Sequence, residues 1–391
     1  MAVLGSWNES GRRSRAFLSA AAALVFAATA DAQDLPASVT GPYVEYERAV
    51  EAGDGAAAYD AARRAFEAGQ AERIDRETLG LLAENFGSMA AANRDFEQAR
   101  DAWREAARLG DRARLSPTER AWRWHNAAVN ALLAEDMRDA YRCSRETVDA
   151  LADLERIEGD ALLFAEEAYA LNARMALSTG QARRALEPAQ ALIAIRTASG
   201  EEPDLAFANA HYIAGISQLV RSNNVEAAYH FHMAMGIAQG QETEIDALED
   251  LVLNANALLL LAYGRAGRRV HQIDELLERD AFYQSQNLPG LEDEEPETQP
   301  GFVDAVPSER VEPEYPMGAL TEGLEGVLIV QFTVDENGRA VEPRIRASIP
   351  GGLFDEAVLR AMEDWTYEPA TQDGVPVRRE GVTICFTFML S

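Results

Sequence analysis

Between residues 36 and 285 the apolar positions recur at helical spacing, alanine dominates them, and strand-like alternation is nearly absent. Short polar turns break the pattern at Gly53-Asp54-Gly55, Asn93-Arg94-Asp95, Glu135-Asp136, Gly180-Gln181, Asn223-Asn224 and Gly267-Arg268. Their spacing of about 40 to 45 residues lies in the range of helical solenoids, where stacked helix pairs bury one continuous core. Small residues fall where helices must approach closely. Ala99, Trp103 and Ala106 form one such set, and Ala140 and Ala228 take the slot of Ala99 in their own repeats. The pattern predicts an all-α repeat domain over 36–285, built from about six helix pairs.

The pattern then breaks. Leu288-Pro289-Gly290 reads as a turn, and Glu292-Asp293-Glu294-Glu295-Pro296-Glu297 repels itself, so 286–304 reads as an acidic, proline-containing linker. From 305 to 391 the period is that of strands. Leu328, Val330, Phe332 and Val334 alternate with Gln331 and Thr333, as in a half-buried strand. Asn337-Gly338 supplies a hairpin turn. The return strand, 340–348, sets Val341, Ile345 and Ala347 on one face against Glu342, Arg344 and Arg346, with Pro343 unable to donate to a ladder. Phe354, Ala357, Val358, Ala361, Met362 and Trp365 form one helical stripe. The last strand directs Val382, Ile384, Phe386, Phe388 and Leu390 inward and Thr383, Cys385, Thr387 and Met389 outward. The expected result is a small α+β domain, a three-stranded antiparallel sheet under one covering helix.

Two resemblances accompany these patterns. The helical region resembles tetratricopeptide (TPR) repeats: Asn85, Gly87, Phe96 and Ala99 match the repeat's polar, small, aromatic and small positions, and Trp124, Asn126 and Ala140 match it again. The period exceeds the usual ~34 residues and the repeat signature is never complete, which leaves a longer-helix variant or another α-solenoid open. The C-terminal region resembles the TonB C-terminal domain. The matching residues are Pro313-Glu314-Tyr315-Pro316, Ala319, Glu325-Gly326-Val327, Val334-Asp335, Gly338, Ser348 and Phe354-Asp355. They continue through Trp365-Thr366-Tyr367-Glu368-Pro369-Ala370, Gly374-Val375-Pro376-Val377, Phe386 and Phe388.

In the TonB family this domain binds a short N-terminal segment of outer-membrane receptors by pairing along its terminal strand. On this chain the resemblance implies a peptide-binding edge at Gly381, Val382, Thr383, Ile384, Cys385, Phe386, Thr387 and Phe388. Thr383, Cys385 and Thr387 would tune specificity, and Tyr315 and Pro316 would add a docking surface. An open strand edge offers unpaired N–H and C=O groups to such a segment, and equally to a second copy in a homodimer. The implied partners are outer-membrane TonB-dependent receptors or other envelope proteins, in support of transmembrane transport. The second reading is a periplasmic scaffold or adapter with two protein-interaction modules and no energy transduction. The family's energy transducers carry an uncleaved anchor with a characteristic Ser and His; here the apolar run 16–28 holds Ser19, and the first histidine is His125. Asn85, Asn126, Asn172, Asn209 and Asn254 fall on first helices of successive pairs. They read either as lining a solenoid groove or as ordinary helix-surface and inter-repeat hydrogen-bonding residues.

At the N-terminus, Arg12, Arg13 and Arg15 flank the run 16–28, and Ala30-Asp31-Ala32 is a cleavage pattern ending between Ala32 and Gln33. Residues 1–32 therefore read as a signal peptide and the mature protein as periplasmic. The alternative is an inner-membrane anchor, although the run is shorter than the ~20 residues of a spanning helix. The net charge of −29 disfavours nucleic acid and anionic headgroups. Cys143 and Cys385 fall in different expected domains, which argues against a bridge between them. His230 and His232, two apart on a helix, diverge and make a poor metal pair, with His211 the residue placed to approach one of them. No nucleophile elbow, phosphate loop or dinucleotide fingerprint is present, so no cofactor and no enzyme activity are expected. A hydrolase within the repeats is the remaining reading.

Overall fold

The computed structural model describes residues 35–154, 160–200, 202–240, 246–269, 271–280 and 301–390. The expected cleavage site at Ala32 and Gln33, the run 16–28 and the acidic stretch up to residue 300 lie outside these residues. The repeat helices are α1 (Ala37–Glu51), α2 (Gly55–Glu72), α3 (Arg76–Ala92), α4 (Phe96–Ala113), α5 (Pro117–Leu133) and α6 (Met137–Leu151). They continue as α7 (Asp160–Ser178), α8 (Leu186–Ser199), α9 (Leu205–Val220), α10 (Asn224–Gln239), α11 (Asp246–Ala266) and α12 (His271–Arg279). Paired helices joined by short turns give a TPR-like arrangement.

The recurring turns share one device. The first helix of a pair ends on a residue of positive φ, Gly53 at 70°, Arg94 at 61°, Glu135 at 60° or Ser222 at 63°. An aspartate follows in three of the turns and caps the next helix. Asp54 accepts from Ala57 N–H at 3.0 Å, Asp95 from Gln98 N–H at 3.3 Å and Asp136 from Asp139 N–H at 3.0 Å. Each cap satisfies an orphan donor and is worth about 1 kcal/mol, so these polar turns close the helix pairs in which they fall.

The chain divides into two compact units, Met1–Ile195 and Arg196–Ser391. In the first, fully buried alanines at 99, 106, 128 and 140 let helices close around Trp103, Trp124, Cys143 and Met175. In the second, α9–α12 belong to the same unit as the C-terminal sheet, and the division falls inside α8 rather than at the acidic stretch.

That sheet holds β3 (Gly326–Val334), β4 (Ala340–Ile349) and β8 (Arg379–Phe388) in the order β4-β3-β8, antiparallel throughout. Helix α14 (Asp355–Met362) covers one face, where Leu328, Val330, Phe332, Phe354, Val358, Met362, Trp365 and Phe388 are buried together. The opposite face is covered as well. Val327, Ile329 and Ala347 share a core with Leu258, Leu261 and Ala262 of α11. The expected grouping of Ile345 with Ala347 is corrected: Ile345 packs toward α14 and Ala347 toward α11. The β3–β4 register shifts between Ile329 and Val330, and one extra residue flips every side chain after it. Short outlying strands complete the module. β1 (Phe302–Val303) pairs with β6 (Thr371–Gln372), which pairs with β7 (Val375–Pro376), while β2 (Val306–Glu309) pairs with β5 (Thr366–Glu368). Helix α13 (Met317–Glu322) precedes β3.

Candidate functional site

The two edges of the sheet differ. On β4 the register shifts twice, Glu342 sits at φ 54° and Pro343 offers no donor, so this edge is bulged and interrupted. On β8 the pairing with β3 runs in step from Gly326↔Phe388 to Phe332↔Val382, and no described strand pairs on its other side. The single shift comes before it, where Gly381 takes φ 73°, a left-handed conformation that favours glycine. Residues 382–388 therefore form a regular edge strand, and Gly381 forms its bulged start.

Side chains along this edge alternate as expected, except that Cys385 and Met389 are taken up by the α11 core and Leu390, expected inward, is exposed. Val382, Ile384, Phe386 and Phe388 pack toward α14, Phe386 lying 5.5 Å from Trp365 and Phe388 stacked on Phe354 at 4.3 Å. Thr383 and Thr387 are exposed. Cys385, expected to face outward, is instead half-buried in the α11 core, and burial pushes its thiol up to about 11. The reason is the helix beneath the sheet, which turns the expected solvent face into an interface. Buried Cys143 is likewise a free thiol, pushed up to about 12, first by burial and then by Asp139.

Tyr315 is a packing residue at the same end of the sheet. Its ring meets Phe354 and Phe388 edge-on at 5.7 and 5.5 Å, and its hydroxyl donates to Leu324 O at 2.7 Å. Pro316 is half-buried and immediately precedes α13. At the other end, residues ahead of the sheet tie it down. Asp304 accepts from Arg379 Nε at 2.8 Å, Arg310 lies 5.2 Å from Trp365 and 5.3 Å from Tyr367, and Trp365 Nε1–H donates to Val311 O at 2.9 Å. Only the run Val327-Leu328-Ile329-Val330, apolar at consecutive positions, signals in advance that β3 is buried on both faces.

The model of the Gram-negative bacterial TonB protein C-terminal family matches residues 311–390. This segment is a TonB C-terminal domain. Over 74 residues the chain is 35% identical to Protein TonB of Pseudomonas aeruginosa, covering 19% of this chain and 22% of that protein. Over 82 residues it is 33% identical to Protein TonB of Vibrio cholerae, covering 20% and 34%. The solution structure of the Pseudomonas aeruginosa TonB C-terminal domain is 34% identical, with a TM-score of 0.20, over 22% of this chain and 87% of that one. The chain thus spans about a quarter to a third of the length of these two relatives. Residues 301–310, just ahead of the matched segment, supply β1, β2 and the Arg310 and Asp304 contacts.

The repeat asparagines take separate roles. Asn126 and Asn254 donate to carbonyls one turn back in their own helices, Trp122 O at 2.9 Å and Asp250 O at 2.6 Å. Asn172 is buried and donates to Ser144 Oγ at 3.0 Å. Asn85 and Asn209 are half-buried. His211 does approach His230, with Nδ1 atoms 3.1 Å apart, while His232 faces Tyr263 at 2.6 Å. Among the described residues no group of three or more His, Cys, Asp or Glu is placed to hold a metal ion. No described helix is long and apolar enough to cross a membrane.

Proposed function

We propose that this chain is an exported periplasmic TonB-family protein that binds an extended segment of an outer-membrane receptor by strand addition to β8, in support of transport across the envelope. The observation that carries this reading is the asymmetry of the sheet. One edge is broken by bulges and a proline, and the other presents residues 382–388 in unbroken register. Backbone pairing along such an edge gives affinity with little demand on sequence, and the neighbouring side chains select. Exposed Thr383 and Thr387 are the residues left to select on the α11 side, since Cys385 is occupied by the helix.

The adapter reading gains from the joint packing of α9–α12 with the sheet, because these last four repeat helices then belong to the same compact unit as the peptide edge. In both readings the protein binds rather than catalyses. The test is titration of the full chain with synthetic N-terminal segments of outer-membrane receptors, followed by the same peptides N-methylated at alternate backbone amides. Binding that falls at least tenfold in one methylation frame and hardly changes in the other supports strand addition, because only one set of amides faces β8. Equal binding in both frames rejects it.

A further inference from the structure

Three contacts converge where β8 ends. In the last turn of α11, Arg265 Nε–H donates to Glu325 Oε2 at 2.7 Å. The other carboxylate oxygen of Glu325 accepts the Leu390 N–H at 3.1 Å. The pair is partly withdrawn from water, with 32% of the Arg265 side chain and 17% of that of Glu325 exposed. Next to Arg265, Gly264 leaves room for Met389: a Cβ there would stand 3.2 Å from Met389 Cε. Glu325 immediately precedes β3, the strand on which β8 is laid. One carboxylate thus joins a repeat helix, the central strand and the end of the edge strand.

The sheet does not need this junction to close, because the β3–β8 ladder is already complete at Gly326↔Phe388. We propose that Arg265, Glu325 and the Leu390 amide form a latch through which helix α11 and the strand-adding edge of β8 regulate one another. The proposal rests on reading β8 as a strand-adding edge. Its physical basis is a charge-assisted hydrogen bond in partly desolvated surroundings. Without Arg265, the Glu325 carboxylate loses its cation and turns toward water. The Leu390 N–H is then released, and Met389 is no longer drawn into the gap at Gly264. In the other direction, a strand laid on 382–388 stiffens the end of β8 and, through Glu325, the last turn of α11. Such coupling is reciprocal, so a ligand that shifts α11 changes the affinity of the edge by the same factor.

The test is amide hydrogen exchange on the full chain, comparing the native sequence with Arg265→Ala, Arg265→Lys and Glu325→Gln. Each protein is measured alone and with a nine-residue alternating valine–threonine peptide bearing charged ends. In Arg265→Ala the amides of Met389 and Leu390 should exchange at least fivefold faster, with α9 unchanged as the control for folding. Arg265→Lys should restore most of the protection, and Glu325→Gln, which keeps an acceptor without the charge, should fall between. In the native protein the peptide should slow exchange in β8 and also in 262–266, the second effect vanishing in Arg265→Ala. Unchanged protection of Met389 and Leu390 in Arg265→Ala overturns the latch. So does protection of β8 by the peptide with no response in 262–266, an outcome that leaves strand addition standing. A peptide that protects nothing in β8 of the native protein instead removes the strand-adding reading, and the coupling with it.

Discussion

Arg123 is a charged side chain with only 3% of its residue surface exposed, its guanidinium lying against Gly80 and Gly110. Its Nε pairs with Glu84, and its Nη1–H donates to Ala106 O at 3.0 Å. Burial pushes the Glu84 carboxyl upward, and the Arg123 charge opposes the shift. Removing one partner of such a pair strands the other's charge in the core, at a cost of about 3–5 kcal/mol, whereas apolar replacement of both is close to neutral. Arg123→Met should therefore lower the unfolding free energy by about 3 kcal/mol, and Glu84→Leu combined with Arg123→Met should recover most of it. Urea denaturation of the three proteins measures both effects, and equal loss in the single and double variants refutes the pairing. Nothing in the sequence marks this arginine out, because every basic residue apart from the histidines is arginine and burial is decided by the stacking of α3, α4 and α5.

At the scale of an element, α10 is the polar hub of the second unit. His230 meets His211 of α9, His232 meets Tyr263 of α11, and Tyr229 donates to Asp280, just past α12, at 2.5 Å. Burial holds both His230 and His232 down to about 4, with Asp280 and Asp274 respectively opposing the shift. Burial and then His230 lower His211 as well. Histidines free in the unfolded chain titrate near ~6.5, so between about 6.5 and about 4 the unfolded state binds more protons and stability falls as pH falls. Thermal melts of the second unit should show its midpoint dropping steadily from pH 7 to pH 4.5, and His230→Asn should flatten the slope. An unchanged slope in that variant counts against the pair. The diverging directions of His230 and His232 were legible from their spacing, because residues two apart on a helix do not share a face. The flip between Ile345 and Ala347 was not: Pro343 announces one irregularity in β4, but nothing in the local pattern announces the second.

For the whole molecule, the change from helical to alternating periodicity correctly located the sheet, and the short polar turns located helix pairs. What the pattern left hidden was the partner of the second sheet face. It comes from a helix dozens of residues upstream, and only the four consecutive apolar positions of β3 hint at it. A fragment beginning at residue 301 uncovers Val327, Ile329, Ala347, Ile349, Cys385 and Met389 together, a contiguous apolar face of the kind soluble monomers avoid. That fragment should self-associate in sedimentation velocity and melt lower than the fragment 196–391, which should stay monomeric. A monomeric 301–391 fragment with an equal melting temperature would falsify the structural importance of the α11 cover.

The bulge at Gly381 also gives the edge strand a measured length. From Val382 to Phe388 the register offers seven positions before the backbone turns aside at one end and the Glu325 junction closes the other. At ~3.4 Å per residue this is a ruler of about 24 Å. A guest strand longer than the ruler gains nothing from its overhang, and a shorter one can sit in more than one frame, stepping by two residues at a time. The bulge thus acts as a gauge that sets how much of a partner's chain the protein can read in a single encounter.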